Sequence, residues 1–292
     1  MALLIDPPMW PAHGTLFSHL VSDASLAELH EFAGRAGLPG RAFDRDHYDV
    51  PARRHADLVT LGARPVSGGE LIRALRGSGL RVPARDRREH LEVALTQRWQ
   101  RLLPGAESLC VELLERWGEP HRHYHDGTHL LAVLEAVETL SEPDPAPSTV
   151  LLAAWFHDAV YAGVAGRDER DSADLARGRL TGAGVDPDVV TEVVRLVLLT
   201  ASHSPAAGDR SGELLCDADL AVLGREPAGY ARYLAAVRAD YAHVGDADFA
   251  RGRAAVVRGL LSLDPLFRTE RGRARWAERA RANLLGELRA PS

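Results

Sequence analysis

Apolar residues recur at helical spacing along most of the chain beyond about residue 85. Apolar positions three and four apart line one face of a helix, so this pattern predicts a run of amphipathic helices. The predicted helices cover residues 89–103, 107–117, 127–141, 147–161, 169–182, 187–203, 212–223, 227–243, 247–261 and 270–288. The sequence therefore predicts a mainly α protein whose larger part is a helical bundle.

The first 80 or so residues follow a different pattern. A short apolar run over 2–5 predicts a strand, and the capping box Ser25-x-x-Glu28 predicts the start of a helix over 25–38. The other elements predicted there are helices at 52–62 and 69–80 and short strands at 42–43 and 64–66. A polar, Pro-containing stretch over 82–88 then marks a boundary, which predicts a small α/β domain at 1–84 and an all-α domain at 85–292.

Composition narrows the function classes. With 292 residues, 46% of them hydrophobic, the chain is long enough for two cores, and its net charge of −6 argues against non-specific nucleic-acid binding. No apolar run approaches the ~20 residues that span a bilayer, and the start lacks a signal-peptide pattern. Cys110 and Cys216 lie in apolar helical patterns and are expected to be buried thiols. We therefore expect a cytoplasmic protein with no membrane partner.

Three separated segments concentrate imidazoles and carboxylates. They are Tyr124–His129, Trp155–Asp158 and Cys216–Leu220. His125 and His129 are four positions apart and share a helical face, whereas His157 follows His129 by 28 positions, which leaves room for an antiparallel helix. Nitrogen and oxygen donors carried on helices are what a divalent-metal site for phosphate-ester hydrolysis requires.

The His157-Asp158 pair is distinguished by its context. An unbroken apolar run, Leu151–Phe156, precedes it, and Ala159–Tyr161 follows, which predicts burial. Burying an imidazole beside a carboxylate is costly unless a cation or hydrogen bonds compensate. A core histidine hydrogen-bonded to its neighbour is the alternative, but the first-segment histidines and the late Asp pair together favour a metal site.

These motifs resemble the HD superfamily of metal-dependent phosphohydrolases, in particular its small stand-alone bacterial branch. The resemblance extends from about Glu119 to Asn283. It is carried by Arg122–His125 with His129, by Trp155–Tyr161, by Glu169 with Ser172 and Ala173, and by Leu215–Gly224. It implies an all-α fold and one metal ion. The ligands that it implies are His129, His157, Asp158 and Asp219, with Asp217 as the alternate to Asp219 or as a capping or orienting residue.

The segment from Tyr124 to His129 is also similar to the corresponding piece of cyclic-nucleotide phosphodiesterases. That likeness implies that His125 is the general acid, which protonates the leaving alcohol, and that His129 binds the metal. An imidazole suits this role because it can be protonated near neutral pH. A divalent metal lowers the pKa of bound water from 15.7 to about 7, which would supply the attacking hydroxide.

Three further residues are candidates for the site. Arg122 is predicted to be catalytic and to bind the substrate phosphate through paired guanidinium donors, with a surface role as the alternative. Glu169 is predicted to hydrogen-bond a metal-bound water, and His203 to contact the substrate or to orient a ligand. For both, a solvated residue at a helix end is the alternative.

The number of metals follows from the histidine count. Binuclear members of the superfamily, including the diiron oxygenases, use additional histidines between the His-Asp pair and the final Asp, but between Asp158 and Asp219 this chain has only His203. One divalent metal is therefore expected, with a second one held mainly by water through a bridging Asp158 as the alternative. Mixed nitrogen and oxygen ligands leave Mn, Fe, Co, Ni, Zn and Mg open.

The expected activity is hydrolysis of a small phosphorylated substrate, a phosphomonoester or phosphodiester of nucleotide type. One alternative is a 2′,3′-cyclic phosphate or RNA-end phosphodiesterase. Another is a non-catalytic, metal-containing nucleotide-binding regulator. An intact His125 beside His129 argues against the regulator, because a structural metal site does not need a proton donor.

The N-terminal part resembles an uncharacterised module that precedes such HD proteins in bacteria, and this likeness brings no activity with it. Polar side chains after a first strand often lie at the ligand-binding edge of an α/β sheet. Asp6, His13, His19, Asp23 and His47 are therefore candidates for a second site. Turn and capping chemistry around the Pro-rich loops is the alternative.

Overall fold

The computed structural model describes residues 2–12, 14–44, 46–78, 88–164 and 166–289. The chain divides into two compact units, Met1–Arg87 and Arg88–Ser292. The described residues are 63% helical, with a small N-terminal sheet followed by helices, which confirms the mainly α prediction. The predicted boundary between residues 84 and 85 lies outside the described residues. Within the described ranges, no helix combines the length and apolarity that crossing a membrane requires.

The N-terminal unit is built on a small mixed sheet. Its strands are β1 (Leu3–Ile5), β2 (Trp10–Ala12), β3 (Thr15–Ser22), β4 (Phe43–Asp44), β5 (His47–Pro51) and β6 (Arg64–Pro65). Its helices are α1 (Leu26–Arg35), α2 (Ala52–Thr60) and α3 (Gly68–Gly77), with a 3₁₀ turn at Gly40–Ala42. The strand order is β4-β5-β3-β1-β6, with β2 paired to β3, and β1 runs parallel to β6 while the other pairs are antiparallel.

Alternation along the strands divides this unit into layers, because successive side chains of a strand point to opposite faces. Ile5 and Leu20 pack with α1, whereas Leu4 and Val21 pack with Leu71 of α3. The sheet therefore has helices on both faces. In the described residues, β2, β3 and β5 are strands that the sequence analysis did not predict.

Every regular element in the described residues of the C-terminal unit is a helix. Its helices are α4 (Arg88–Leu102), α5 (Glu107–Trp117), α6 (Gly127–Ser141), α7 (Ser148–Phe156), α8 (Asp168–Gly182), α9 (Pro187–Leu199), α10 (Arg210–Asp219), α11 (Pro227–Asp240), α12 (Asp246–Ser262), α13 (Glu270–Gly272) and α14 (Glu278–Arg289). A 3₁₀ helix at Leu220–Gly224 continues α10, and a π-helical segment at Arg273–Ala277 joins α13 to α14. The predicted helices at 107–117 and 127–141 are confirmed at both ends.

One large core holds the first half of the helical unit together. Trp99, Trp117, Trp155 and Phe156 are almost completely buried in it. The Trp117 indole donates to the Trp155 carbonyl over 3.0 Å, so this deeply buried polar atom is satisfied. Helices α6, α7 and α10 contact one another in this core, which brings the N-terminal part of α6 to the C-terminal ends of α7 and α10. The two cysteines are buried and free, as predicted.

Several predicted helices extend too far at their C-terminal ends, and two of these ends lie beside site residues. The helix predicted over 147–161 ends at Phe156, and the helix predicted over 187–203 ends at Leu199. Beyond α7, the carbonyl oxygens of Asp158 and Ala159 bond to the Arg122 guanidinium at 2.7 and 3.2 Å instead of continuing a helix. The His157-Asp158 pair therefore lies on the turn that leaves α7, which frees both side chains to face neighbouring helices.

Candidate metal centre

Ligand-type atoms from three helices converge at the ends of α6, α7 and α10. His129 comes from the first turn of α6, His157 follows the last residue of α7, and Asp219 ends α10. One donor atom from each of the three lies within 4.8 Å of the others, as a shared metal ion requires. Asp158 adjoins the group, with its Oδ2 3.2 Å from His157 Nε2 and 3.8 Å from His129 Nε2.

The ring orientations direct lone pairs toward one point. His157 Nδ1 lies 2.8 Å from the Ala154 carbonyl, which can only accept, so Nδ1 carries the hydrogen and Nε2 is left to bind a cation. His129 Nε2 lies 3.1 Å from His157 Nε2 and 3.1 Å from Asp219 Oδ1. The His129 and His157 side chains are 4% and 1% exposed, so these donor atoms lie close together in a buried site. A shared cation would satisfy all of them.

The electrostatics of the cluster support the same interpretation. Burial alone would raise the pKa of Asp219, but the charge of His157 and hydrogen bonds from three histidines hold it well below its usual range. Burial would lower the pKa of His157, yet Asp158 and Asp219 raise it well above its ordinary value, while burial lowers the pKa of His129. The two carboxylates thus stabilise positive charge beside the two imidazoles, and a divalent metal would supply such a charge. The residues present fit a divalent ion with mixed nitrogen and oxygen ligands.

His125 is held beside this cluster by a residue that the sequence analysis missed. Its Nδ1 lies 2.7 Å from Oδ2 of Asp240, the last residue of α11, and the Asp240 side chain is fully buried. Asp240 also accepts the backbone N–H of His123 at 2.5 Å and that of Tyr124 at 3.2 Å. Burial would raise the pKa of Asp240, but these hydrogen bonds lower it. The carboxylate fixes the ring, so that His125 Nε2 is the nitrogen available to a substrate.

Ring packing further restricts His125. The ring of Tyr161 is stacked on it with centroids 4.2 Å apart, and the His129 ring lies 5.9 Å away. The side chain is 20% exposed, so it reaches the surface of the site without being freely solvated. This arrangement suits a proton donor beside the metal ligands rather than a ligand.

His203 contacts one candidate ligand, Asp219, and not the cluster as a whole. Its Nε2 lies 2.7 Å from Asp219 Oδ2, whereas Asp219 Oδ1 faces His129 and His157. His203 also has a φ of 49°, in the left-handed region that a side chain disfavours. The residue that His203 could orient, as predicted, is therefore Asp219.

Arg122 is placed differently from its prediction as a phosphate anchor. Its side chain is fully buried, and its nitrogens donate to the carbonyl oxygens of His125, Asp158 and Ala159 at 2.7–3.2 Å. Its Nε donates to Glu119 over 2.9 Å. Because these contacts occupy the guanidinium, we assign Arg122 the positioning of the His125 and Asp158 backbones instead.

Asp217 is likewise not the alternate ligand. It is fully buried and accepts the backbone N–H of Arg268 at 2.7 Å and the N–H and hydroxyl of Thr269 at 2.8 and 2.6 Å. A Cβ on Gly272 would lie 2.4 Å from its Oδ2. Two residues apart on one helix are about 200° apart around the axis, so Asp217 and Asp219 face different neighbours. Asp217 therefore anchors the start of α13, which agrees with the capping role considered for it.

A cavity of about 540 Å³ opens beside the cluster. His125, His203, Asp219 and Glu169 line it, together with a largely apolar wall. The wall consists of Leu220, Val222, Leu223, Val237, Val256 and Leu260, with Phe249 and the rings of Tyr124, Tyr233 and Tyr241. Glu169 Oε2 is buried and has no hydrogen-bond partner among the described residues. Its placement agrees with a contact to a ligand or to water in this cavity.

The structure brings together only some of the residues predicted to form a second site in the N-terminal unit. Asp6, His19 and His47 lie together beside the sheet of the N-terminal unit, where they line one cavity. Asp23 instead accepts the backbone N–H of Ala2 over 2.6 Å, in agreement with turn chemistry. His13 lies outside the described residues.

Comparison with known proteins finds a family model that matches the N-terminal part of the chain. Residues 3–78 match the model of a family described as "Protein of unknown function (DUF4031)". No curated protein and no solved structure matches the chain. The match supports treating the N-terminal unit as a module of its own, and the HD resemblance of the helical unit stays a prediction.

Proposed function

We propose that the chain is a cytoplasmic, metal-dependent phosphohydrolase of HD type. The observation that carries the proposal is the convergence of His129, His157 and Asp219, with Asp158 adjoining, beside a largely apolar cavity that Asp219 lines. These four residues would hold one divalent ion. When bound, such an ion activates water for attack on phosphorus and polarises a phosphoryl oxygen.

The protein side chains divide the remaining tasks. His125, oriented by Asp240, protonates the leaving oxygen of the ester through Nε2. His203 holds Asp219 in place. The buried Glu169 Oε2, which has no partner among the described residues, would accept a hydrogen bond from the substrate or from water in the cavity. Arg122 keeps the turn after α7 in the shape that presents Asp158.

The cavity also indicates the form of the substrate. Its volume lies within the ~300–1,000 Å³ typical of sites for a single small molecule, and its wall is mostly apolar and aromatic. Its arginine is paired, because Arg253 binds Glu287 through Nε and Nη2 at 2.7 and 3.1 Å. Its histidines also face carboxylates, His125 facing Asp240 and His203 facing Asp219. The metal would therefore supply the main positive charge. This favours a substrate with one phosphate group on a planar or apolar body, such as a mononucleotide, over a polyphosphate.

The test is a metal-supplemented substrate screen of the full chain. Chelator-treated protein is reloaded singly with Mn, Fe, Co, Ni, Zn or Mg and assayed on phosphorylated metabolites, cyclic nucleotides and RNA with a 2′,3′-cyclic end. His157→Asn and Asp158→Asn serve as matched variants. We expect phosphate or monoester release that requires metal and is lost in both variants.

The alternatives are separate outcomes of the same screen. Turnover restricted to cyclic-ended RNA would indicate the RNA-end phosphodiesterase. One equivalent of metal at this centre and nucleotide binding without turnover for any metal would overturn the hydrolase proposal in favour of the regulator. Calorimetric titration with the nucleotides of the screen makes that distinction.

A further inference from the structure

A second cluster of metal-type side chains lies in the N-terminal unit, on the sheet face that α3 covers. His19 of β3 is directly opposite Asp49 of β5 in the antiparallel register, and His47 is two residues before Asp49. Side chains two apart on a strand share a face, so all three point to the same side. One donor atom from each lies within 4.8 Å of the others.

Each histidine is held through Nδ1 by a buried carboxylate. His19 Nδ1 lies 3.1 Å from Asp6 Oδ2, and His47 Nδ1 lies 2.5 Å from Asp46 Oδ1. Both carboxylate residues are 1% exposed. Asp6 is itself fixed, since it accepts the His19 backbone N–H at 2.5 Å and the Trp10 indole N–H at 3.0 Å. The carboxylate bond leaves Nε2 of each ring as its metal-binding nitrogen, which is the usual outer arrangement of metal-bound histidines.

The two Nε2 atoms point to one carboxylate oxygen. Asp49 Oδ1 is 3.4 Å from His47 Nε2 and 3.9 Å from His19 Nε2. The two rings are perpendicular, with centroids 4.8 Å apart, so both lone pairs can be directed to a common point. Three carboxylates, including Asp6 and Asp46, meet two imidazoles in this cluster, and a divalent cation would offset their negative charge.

Space for further ligands adjoins the cluster. A cavity of about 280 Å³ is lined by His19, His47, Asp6, Trp10 and by Leu71, Ile72 and Leu75 of α3. Two imidazoles and one carboxylate suit first-row transition metals better than Mg²⁺ or Ca²⁺. Three protein ligands with open positions are also the pattern of catalytic rather than structural metal sites.

We propose that His19, His47 and Asp49 form an open site for a first-row divalent transition metal in the N-terminal unit, separate from the centre in the helical unit. Asp6 and Asp46 orient its two histidines, and the open positions face the cavity next to α3. The full chain would then bind two metal ions by two unrelated sets of residues.

The test counts metal in the full chain by mass spectrometry after Zn²⁺ loading and dialysis. The starting protein carries His129→Asn and His157→Asn, which disable the helical-unit centre, so the result does not depend on the proposed hydrolase function. We expect this protein to retain one equivalent of Zn²⁺. Adding His19→Asn or Asp49→Asn should reduce it to less than a tenth of an equivalent.

The control is His30→Asn, since His30 belongs to the same unit but bonds to the Tyr48 hydroxyl. It should keep the full equivalent. The Asp49 side chain is 46% exposed, so its substitution should perturb the fold less than substitution of the buried His47. Thermal melting of each variant then checks that it is folded. Co²⁺ absorption of the starting protein should show imidazole coordination that disappears in the His19 variant.

Two results would overturn the proposal. One is a folded starting protein that binds no Zn²⁺, which would make the cluster a hydrogen-bonded histidine–aspartate network. The other is a retained equivalent that neither His19→Asn nor Asp49→Asn removes, which would place the ion elsewhere. Failure of the substrate screen affects neither conclusion.

Discussion

Replacing Asp217 by alanine separates a structural carboxylate from a ligand carboxylate two residues away. We expect Asp217→Ala to lower the free energy of unfolding and to keep the metal, and Asp219→Ala to lose the metal. The reason is geometric: Asp217 bonds only to Arg268 and Thr269 among its described partners, while Asp219 faces His129 and His157.

The magnitude follows from the three bonds that Asp217 accepts. Hydrogen bonds to a charged group contribute about 1.5–3 kcal/mol each, so their simple sum is about 4.5–9 kcal/mol. Two effects reduce this sum. Burial raises the pKa of Asp217, which reflects the cost of holding its charge away from water, and the freed N–H groups at 268 and 269 regain some solvation. We therefore expect a loss of about 3–5 kcal/mol, as for other broken buried charge networks.

The assay is urea unfolding of chelator-treated protein, followed by a metal count on the reloaded sample. Chelation is needed because a bound metal stabilises the folded state and would mix the two effects. Asp217→Asn is the matched control, since it keeps the side-chain volume but turns one acceptor into a donor. A folded Asp217→Ala protein that lost its metal and kept its metal-free stability within about 0.5 kcal/mol would refute the assignment.

Three further predictions address the acid, its orienting residue and the anchoring of α10. His125→Ala should retain metal but slow turnover by about 10²–10⁴-fold, whereas His129→Ala should lose metal and activity together; equal metal loss in both would make His125 a ligand. Asp240→Asn should lower kcat by about 10–100-fold at unchanged metal content, because the His125 ring loses its fixed orientation, and a wild-type kcat would contradict this. Asp209 caps α10 and binds Arg195, and these partners lower the pKa of its carboxyl. Its contribution to the free energy of unfolding is therefore present above the unfolded pKa of about 3.9. That contribution is lost as the pH falls through the lower folded pKa. Asp209→Asn should therefore cost about 1–2 kcal/mol at pH 7 and less near pH 3 in urea unfolding; an equal cost at both pH values would contradict the charge argument.

The helices and the residue types of the metal centre could be predicted from the sequence because both depend on local information. Helical periodicity along one segment predicted α5 and α6 with the correct first and last residues. The apolar run before His157 likewise predicted burial of that histidine, which is 1% exposed. The spacing of His129 and His157 anticipated two neighbouring helices that bring them together.

Residue roles that depend on distant partners could not be predicted in the same way. Arg122 reaches carbonyl oxygens 36 and 37 residues away, and Asp240 reaches His125 across 115 residues. An arginine that binds backbone carbonyl oxygens cannot be told from one that binds phosphate by its neighbouring residues. Likewise, no local feature of the sequence identifies the Asp at the end of α11 as a partner of a histidine.

The N-terminal unit shows the same division between local and long-range information. His19 and His47 were recognisable as candidates, but β3 and β5 were not predicted, so nothing placed these residues side by side or added Asp49 to them. Strand pairing is a long-range contact, and alternation over a few residues with Pro, His and Asp is a weak signal for it. The sequence by itself determined which side chains can bind metal, whereas tertiary packing alone decided which of them meet, because a metal site requires atoms from separate segments within a few ångströms of one point.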